Sequence, residues 1–352
     1  GLYDLIGIDL MSDVAKSLES ILPEADEFHE VSQEIPLMAR MISEGHLGNK
    51  GDKGGFYRYK DAADSTSRQT LDFDSFTYRD YDREKPAIAL EAELTGDFTL
   101  LLDQDDVYGQ FAWQVLSNTL CYAAKLVPDV NRSLVAIDDA MKLGFNWLHG
   151  PFEMMDAIGA DRMIGRLESE GREIPPFLNL AAGRSFYSVD EGQLRYLDAD
   201  GSYRPLTRSA GTRRLGEERR TLGAQNENDS ASLFVLDQGI GLVEFHSKAN
   251  ALDAGSMQVL RDAVGYATAN LDGLVIHNDA AHFSCGVNIG GILAFIEAAD
   301  WDGLDQFLDD FQQTVKAMKY SPIPVVAAPA GLSIGGGFEV LLHTDKVIYH
   351  AN

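Results

Sequence analysis

Apolar positions set the first expectations. Between Val107 and Leu126, residues Phe111, Val115, Leu116, Cys121 and Tyr122 recur at roughly helical spacing, which predicts a long helix. Leu134–Leu143 continues the pattern, and Gly144 is expected to stop it. From Leu233 the grammar changes. Leu233–Leu236 and Gly241–Phe245 read as a hairpin, Ser256–Ala269 as an amphipathic helix and Gly273–His277 as an apolar strand. Trp301–Met318 follows as a helix with Phe307, Phe311 and Val315 on one face. Pro324–Ala328 reads as a third buried strand, and Gly336–Leu342 opens another helix. Strands alternating with helices predict α/β wiring with crossover helices. Trp113, Trp147 and Trp301 sit among apolar helical positions and are expected in cores.

The first half of the chain repeats itself. Asp4-Leu5-Ile6-Gly7-Ile8-Asp9 recurs as Asp156-Ala157-Ile158-Gly159-Ala160-Asp161. A helical stretch follows each copy, and then comes Glu34-Ile35-Pro36-Leu37-Met38 or Glu173-Ile174-Pro175-Pro176-Phe177. Each unit next reaches an aromatic strand start, Phe56-Tyr57-Arg58-Tyr59 or Phe186-Tyr187-Ser188-Val189. Three matched blocks in one order predict duplicated helical units, each closed by a β-hairpin. The expected arms are Gly55–Lys60 with Leu71–Tyr78, and Ser185–Val189 with Leu194–Leu197 before a turn at Gly201. The organisation expected is one helical unit over 1–85, a second over 86–206, an Arg/Gly-rich linker over 207–232 and an α/β domain over 233–352. The linker concentrates Arg208, Arg213, Arg214, Arg219 and Arg220. Two readings of it stay open, a solvated stretch or a contact for an anionic cofactor tail.

Charge narrows the function. Lys and Arg total 29 against 55 Asp and Glu, a formal net charge of −26. So acidic a surface repels phosphate backbones and argues against a nucleic-acid partner. Two distant cysteines, Cys121 and Cys285, exclude a disulfide framework or a zinc ribbon and suit a reducing cytoplasm. No apolar run is long enough for a membrane span, and the eight histidines show no metal-ligand spacing. The chain opens on Gly1 without a Met and ends as abruptly, Val340–Tyr349 running straight to Asn352, so an excerpt of a longer protein is expected.

Two glycine-bearing turns could carry chemistry. Phe283-Ser284-Cys285-Gly286-Val287-Asn288 follows one strand, and Gly331-Leu332-Ser333-Ile334-Gly335-Gly336-Gly337-Phe338-Glu339 follows another. Neither is a P-loop or a dinucleotide fingerprint. The glycines alone could merely permit tight strand-to-helix turns. Together the turns offer more: a backbone donor at Gly336, a second at Val287, and Glu339 three residues past Gly336 on the same helix face. Two N–H groups converging on one oxygen would stabilise an enolate formed from a thioester carbonyl.

Residues 233–352 resemble the first part of a crotonase (enoyl-CoA hydratase/isomerase) domain. The matching pieces are the opening hairpin with Ser247-Lys248-Ala249-Asn250-Ala251-Leu252, the Phe283–Asn288 turn and Pro329-Ala330-Gly331 through Glu339. The resemblance implies an oxyanion hole from the N–H groups of Val287 and Gly336, and Glu339 as one of two catalytic carboxylates. It also implies that Lys248 and Ala249 lie along coenzyme A. The family often has Asp where Asn288 stands, and its second catalytic Glu falls beyond residue 352.

The repeated part resembles the C-terminal helical domains of (S)-3-hydroxyacyl-CoA dehydrogenases. The matching phrases are Gly1-Leu2-Tyr3-Asp4-Leu5-Ile6-Gly7-Ile8-Asp9 and Leu47-Gly48-Asn49-Lys50-Gly51-Asp52-Lys53-Gly54-Gly55-Phe56-Tyr57. The second copy carries Ile137-Asp138-Asp139-Ala140-Met141, Gly144-Phe145 and Gly150-Pro151-Phe152-Glu153. A dehydrogenase helical region followed by a crotonase domain resembles the fused dehydrogenase–hydratases of bacterial fatty-acid β-oxidation. The fold implied is a mainly α-helical duplicated domain with β-hairpins, followed by a partial ββα-spiral domain. The parent implied is an oxidoreductase and lyase acting on acyl-CoA thioesters. NAD would be held by a Rossmann domain that would precede Gly1. A homo-oligomer in the cytoplasm is expected, and the chain alone is expected to be inactive. The alternatives are a non-catalytic dimerisation or CoA-binding scaffold, or a parent that isomerises enoyl-CoA.

Overall fold

The repeat is built around an aspartate that reaches across its own unit. The computed structural model describes residues 1–32, 35–61, 64, 67–81, 84–280 and 282–349, in two compact units, 1–113 and 114–352. In the first unit, helices Leu2–Ile6 and Ile8–Ile21 meet at Gly7, whose φ of 117° is a conformation that glycine holds without strain. The Asp4 carboxylate, 3% exposed, accepts the N–H groups of Phe56 (2.8 Å) and Tyr57 (2.9 Å). It thereby docks the start of a sheet onto the first helix. A Cβ at Gly55 would lie 2.1 Å from Asp4 Oδ1, which explains the glycine before Phe56.

In the second unit, helices Pro151–Ile158 and Ala160–Ser169 meet at Gly159, φ 93°. Asp156 accepts from Phe186 N–H (2.6 Å) and Tyr187 N–H (2.8 Å). The duplication is therefore structural. Each copy, however, closes with a three-stranded antiparallel meander and not a hairpin. The first has β1 (Tyr57–Tyr59), β2 (Arg68–Leu71) and β3 (Tyr78–Asp80). The second has β4 (Tyr187–Asp190), β5 (Gln193–Leu197) and β6 (Tyr203–Pro205). Leu71–Tyr78, expected as one arm, is mostly the β2–β3 connection, and the Gly201 turn leads into β6. Glu34, in the second repeated block, lies outside the described residues.

The long helix runs Val107–Lys125, and Leu134–Phe145 is a separate helix ended by Asn146 at φ 56°. Gly144 sits inside that helix and does not stop it. Trp113 is buried as expected, but Phe111 is 69% and Trp301 60% exposed. Periodicity marks a common face without saying whether anything covers it.

The last part forms a six-stranded sheet in the order β12-β11-β10-β9-β8-β7. Its strands are β7 (Asn226–Glu227), β8 (Ala231–Leu236), β9 (Ile240–Phe245), β10 (Gly273–Ile276), β11 (Val325–Ala327) and β12 (Lys346–Val347). β8 and β9 pair antiparallel, whereas β9 to β12 run parallel. Helix Ala254–Asn270 makes the first crossover, and its Leu260, Ala263 and Ala267 pack on Leu233, Val243 and Phe245. Phe311 and Val315 of helix Trp301–Lys319 complete this core, as expected from their spacing. The α/β wiring is present, with an additional helix, Ile289–Glu297, directly after the first glycine turn.

The arginine-rich stretch is neither a solvated coil nor a set of free cations. It contains helix Leu215–Thr221. Leu215 and Leu222 pack with Phe234, Leu242 and Val275, on the sheet face opposite helix Ala254–Asn270, because alternate strand residues face opposite ways. Arg208 pairs with Asp139 and Glu217, and Arg214 with Asp139. Arg213 pairs with Glu218 and Asp237, Arg219 with Glu244 (2.7 Å), and Arg220 stacks over Tyr187. Burial would raise Asp139, but hydrogen bonds from Arg208 and Arg214 hold it below the ordinary carboxylate value. Asp139→Ala leaves two partly buried guanidinium groups without this partner, a change that costs about 3–5 kcal/mol in comparable buried pairs. Trypsin is therefore expected to cut the wild-type linker slowly despite its five arginines, and at least 10-fold faster in Asp139→Ala. Equal rates would show that the pairs do not hold the segment down.

Candidate active site

The two glycine turns and the Lys248–Asn250 turn are laced together by main-chain hydrogen bonds. Cys285 N–H donates to Ala249 O (3.3 Å), Leu252 N–H to Gly286 O (2.8 Å) and Asn288 N–H to Leu252 O (2.8 Å). On the other side, Ser284 N–H donates to Leu332 O (3.2 Å) and Ile334 N–H to Ser284 O (3.0 Å). Three segments thus lie side by side, with 283–288 in the middle.

This lacing aims two amides. In a trans peptide the N–H points opposite the preceding carbonyl. Gly286 O faces Leu252, so Val287 N–H faces away from it, toward the second turn. Gly335 O accepts Glu339 N–H (3.0 Å) along the helix, so Gly336 N–H points back out of the helix start. Neither amide has an acceptor among the described residues. They belong to touching residues: a Cβ on Gly336 would lie 2.8 Å from Val287 Cγ2, and one on Gly286 would lie 3.7 Å from Gly336 N. Glycine is therefore required at 336 for the second turn to approach this closely, and at 286 by its φ of 98° as well.

The remaining expected site residues lie around this pair. Glu339 stands in the first turn of helix Gly336–Leu342, solvent-exposed, with no ion-pair partner among the described residues. Lys248 and Ala249 are exposed, and Ala249 adopts a left-handed φ of 55°. Asn288 caps helix Ile289–Glu297, its Oδ1 accepting from Gly291 N–H. No cluster of three metal-ligating side chains occurs among the described residues, and no helix of theirs is long and apolar enough to cross a membrane.

Residues 236–352 match the family described as enoyl-CoA hydratase/isomerase, and residues 109–180 match the 3-hydroxyacyl-CoA dehydrogenase C-terminal domain. The chain joins a dehydrogenase-type helical domain to a crotonase-type domain. A Bacillus subtilis (strain 168) protein provisionally named 3-hydroxyacyl-CoA dehydrogenase is 33% identical over 98% of this chain and 44% of its own length. A Rickettsia felis protein provisionally named fatty acid oxidation complex trifunctional enzyme is 28% identical over 99% of this chain and 45% of its own length. This chain therefore spans less than half of these relatives. A solved enoyl-CoA hydratase/carnithine racemase from Magnetospirillum magneticum aligns with 35% of this chain and 47% of its own, at 20% identity and a TM-score of 0.32.

The dehydrogenase-type domain buries a second polar cluster. Asp138 accepts from Phe152 N–H (2.8 Å), Glu153 N–H (3.2 Å) and Tyr187 O–H (2.8 Å). Burial nevertheless pushes its carboxyl up to about 7, and that of Asp156 up to about 6. Burial likewise pushes up the Tyr187 phenol. In the crotonase-type domain Glu244 is raised to about 7 by burial, partly offset by Arg219. Sequence reasoning missed these groups, as it missed Ser284 and Asn250 beside the two amides. Each is an ordinary residue whose setting is made by partners far along the chain.

Proposed function

We propose that this chain is part of a fused enzyme that hydrates 2-enoyl-CoA thioesters and oxidises the resulting 3-hydroxyacyl-CoA. The observation that carries the hydratase half is the pair of amides at Val287 and Gly336, without an acceptor among the described residues, beside Glu339. In this reading the thioester oxygen sits between the two N–H groups. Attack of water on C3 moves the C2=C3 electron pair toward the carbonyl and places enolate charge on that oxygen, where two donors stabilise it. Glu339 either takes the proton from water or delivers one to C2, and a second carboxylate elsewhere in the protein does the other step. Lys248 and Ala249 would line the path of the CoA moiety.

The oxidation would use NAD. The residues present supply no strand followed by a Gly-x-Gly-x-x-Gly turn, so they do not fit that cofactor and no step is assigned to them through it. A cytoplasmic homo-oligomer completes the proposal.

In the full-length protein, Glu339→Gln is expected to lower hydration of a 2-enoyl-CoA by roughly 10²–10⁴-fold, the range for general acid–base groups, with binding of the thioester retained. Unchanged turnover would remove Glu339 from the chemistry.

A further inference from the structure

Ser284 stands where the three laced segments meet, and it is fully buried. Its hydroxyl donates to Asn250 O (2.7 Å) and accepts from Gly286 N–H (3.1 Å). Its own N–H and carbonyl are spent on Leu332 and Ile334. A Cβ on Gly337 would lie 2.6 Å from Ser284 Cβ, so the second turn rests directly on this side chain.

The residue that receives the hydroxyl is itself unusual. Asn250 is 6% exposed and, with Ala249, forms two consecutive left-handed residues, φ 51° and 55°. Asparagine tolerates such an angle, but Ala249 holds it only where its surroundings enforce it. Asn250 Nδ2 donates to His282 O (2.9 Å), which ties the strained turn to the residue just before Phe283-Ser284. One amide and one hydroxyl thus close a loop through 250, 282 and 284.

That loop fixes the peptide planes leading to Val287. Gly286 N–H is held by Ser284 Oγ and Gly286 O by Leu252 N–H. The direction of the Val287 amide follows, since it shares a plane with Gly286 O. Meanwhile the Ser284 main chain and Cβ set how closely residues 332–337, and hence Gly336, approach.

We propose that Ser284, supported by Asn250, is the positioning residue that sets the spacing and aim of the Val287 and Gly336 amides. Ser284, fully buried with its hydroxyl engaged by main-chain groups, is assigned no contact with the reacting atoms. The inference rests on the two-amide reading above.

The test uses the full-length protein and a chromophoric cinnamoyl-CoA thioester, whose absorption shifts to the red when its carbonyl is polarised. Wild type is expected to bind it with a red shift. Ser284→Ala, which removes the hydroxyl and leaves no clash, is expected to bind it with a reduced shift. It is also expected to hydrate a 2-enoyl-CoA about 10-fold more slowly, with kcat lowered and KM little changed. Asn250→Gly keeps the left-handed backbone and the carbonyl acceptor but removes the amide, and is expected to lose less than Ser284→Ala. A Ser284→Ala protein with lowered thermal stability but wild-type shift and kcat would overturn the positioning role while leaving the two-amide reading intact. A wild-type protein that binds the thioester with no shift would overturn both.

Discussion

Asp4→Ala is expected to destabilise the 1–113 unit by about 2–5 kcal/mol. The substitution strands the N–H groups of Phe56 and Tyr57, which Asp4 satisfies at 2.8 and 2.9 Å. A buried donor left without a partner costs about 1–3 kcal/mol, and the small Ile8–Met41–Leu71 core has little surplus to offset two of them. The loss is large against the roughly 5–15 kcal/mol that holds a typical domain folded. Gly55→Ala attacks the same contact from the other side, because its Cβ would lie 2.1 Å from the Asp4 carboxylate. Hydrogen exchange at the Phe56 and Tyr57 amides reads both variants locally, and denaturant unfolding reads them globally. Unchanged protection at those two amides in Asp4→Ala would refute the anchoring role.

Acid should stabilise the dehydrogenase-type domain across a window where most proteins change little. Asp138 sits at about 7 and Asp156 at about 6 in the fold, each raised chiefly by burial from 3.8. A raised carboxyl binds its proton more tightly folded than unfolded, so its stabilising contribution is complete below about 4. That contribution is lost as pH climbs to the folded value. Between pH 5 and pH 8 the loss comes to about 2–3 kcal/mol for Asp138 and about 1 kcal/mol for Asp156. Glu244, raised to about 7, acts in the same direction in the neighbouring domain. Asp139, held low by its arginines, stays ionised and adds nothing to the slope, while His149, lowered by burial, opposes it without matching the larger shifts of the two aspartates. Denaturant midpoints measured at pH 5 and pH 8 should therefore fall with pH, and Asp138→Asn should flatten the dependence. A midpoint that rises with pH would contradict the assignment.

How much of this was legible depends on how far apart partners lie. The repeated Asp-x-Ile-Gly-x-Asp block could be seen directly, because duplication leaves a local signature. Its purpose could not, because the amides that Asp4 and Asp156 hold lie 52 and 30 residues away. Strands and crossover helices around the second core followed from Leu, Val and Phe spacing. The linker helix did not, because its fixing contacts to Asp139 and Glu244 involve charged residues that also suit a solvated coil. In the candidate site, glycines and Glu339 stand out by type and spacing. Ser284 does not, since a buried serine is common and its hydroxyl partner is 34 residues upstream.

The paired arginines of the linker also bear on protein engineering. A joint in which Arg208 and Arg214 reach Asp139 on one flank, and Arg213 and Arg219 reach Asp237 and Glu244 on the other, is a fitted part. Moving the crotonase-type domain onto another carrier with a Gly/Ser tether would strand Glu244 without Arg219 and uncover Phe234 and Leu242. Chimeras should therefore retain residues 206–224, and those that also import a carboxylate at the place of Asp139 should express as the more soluble products.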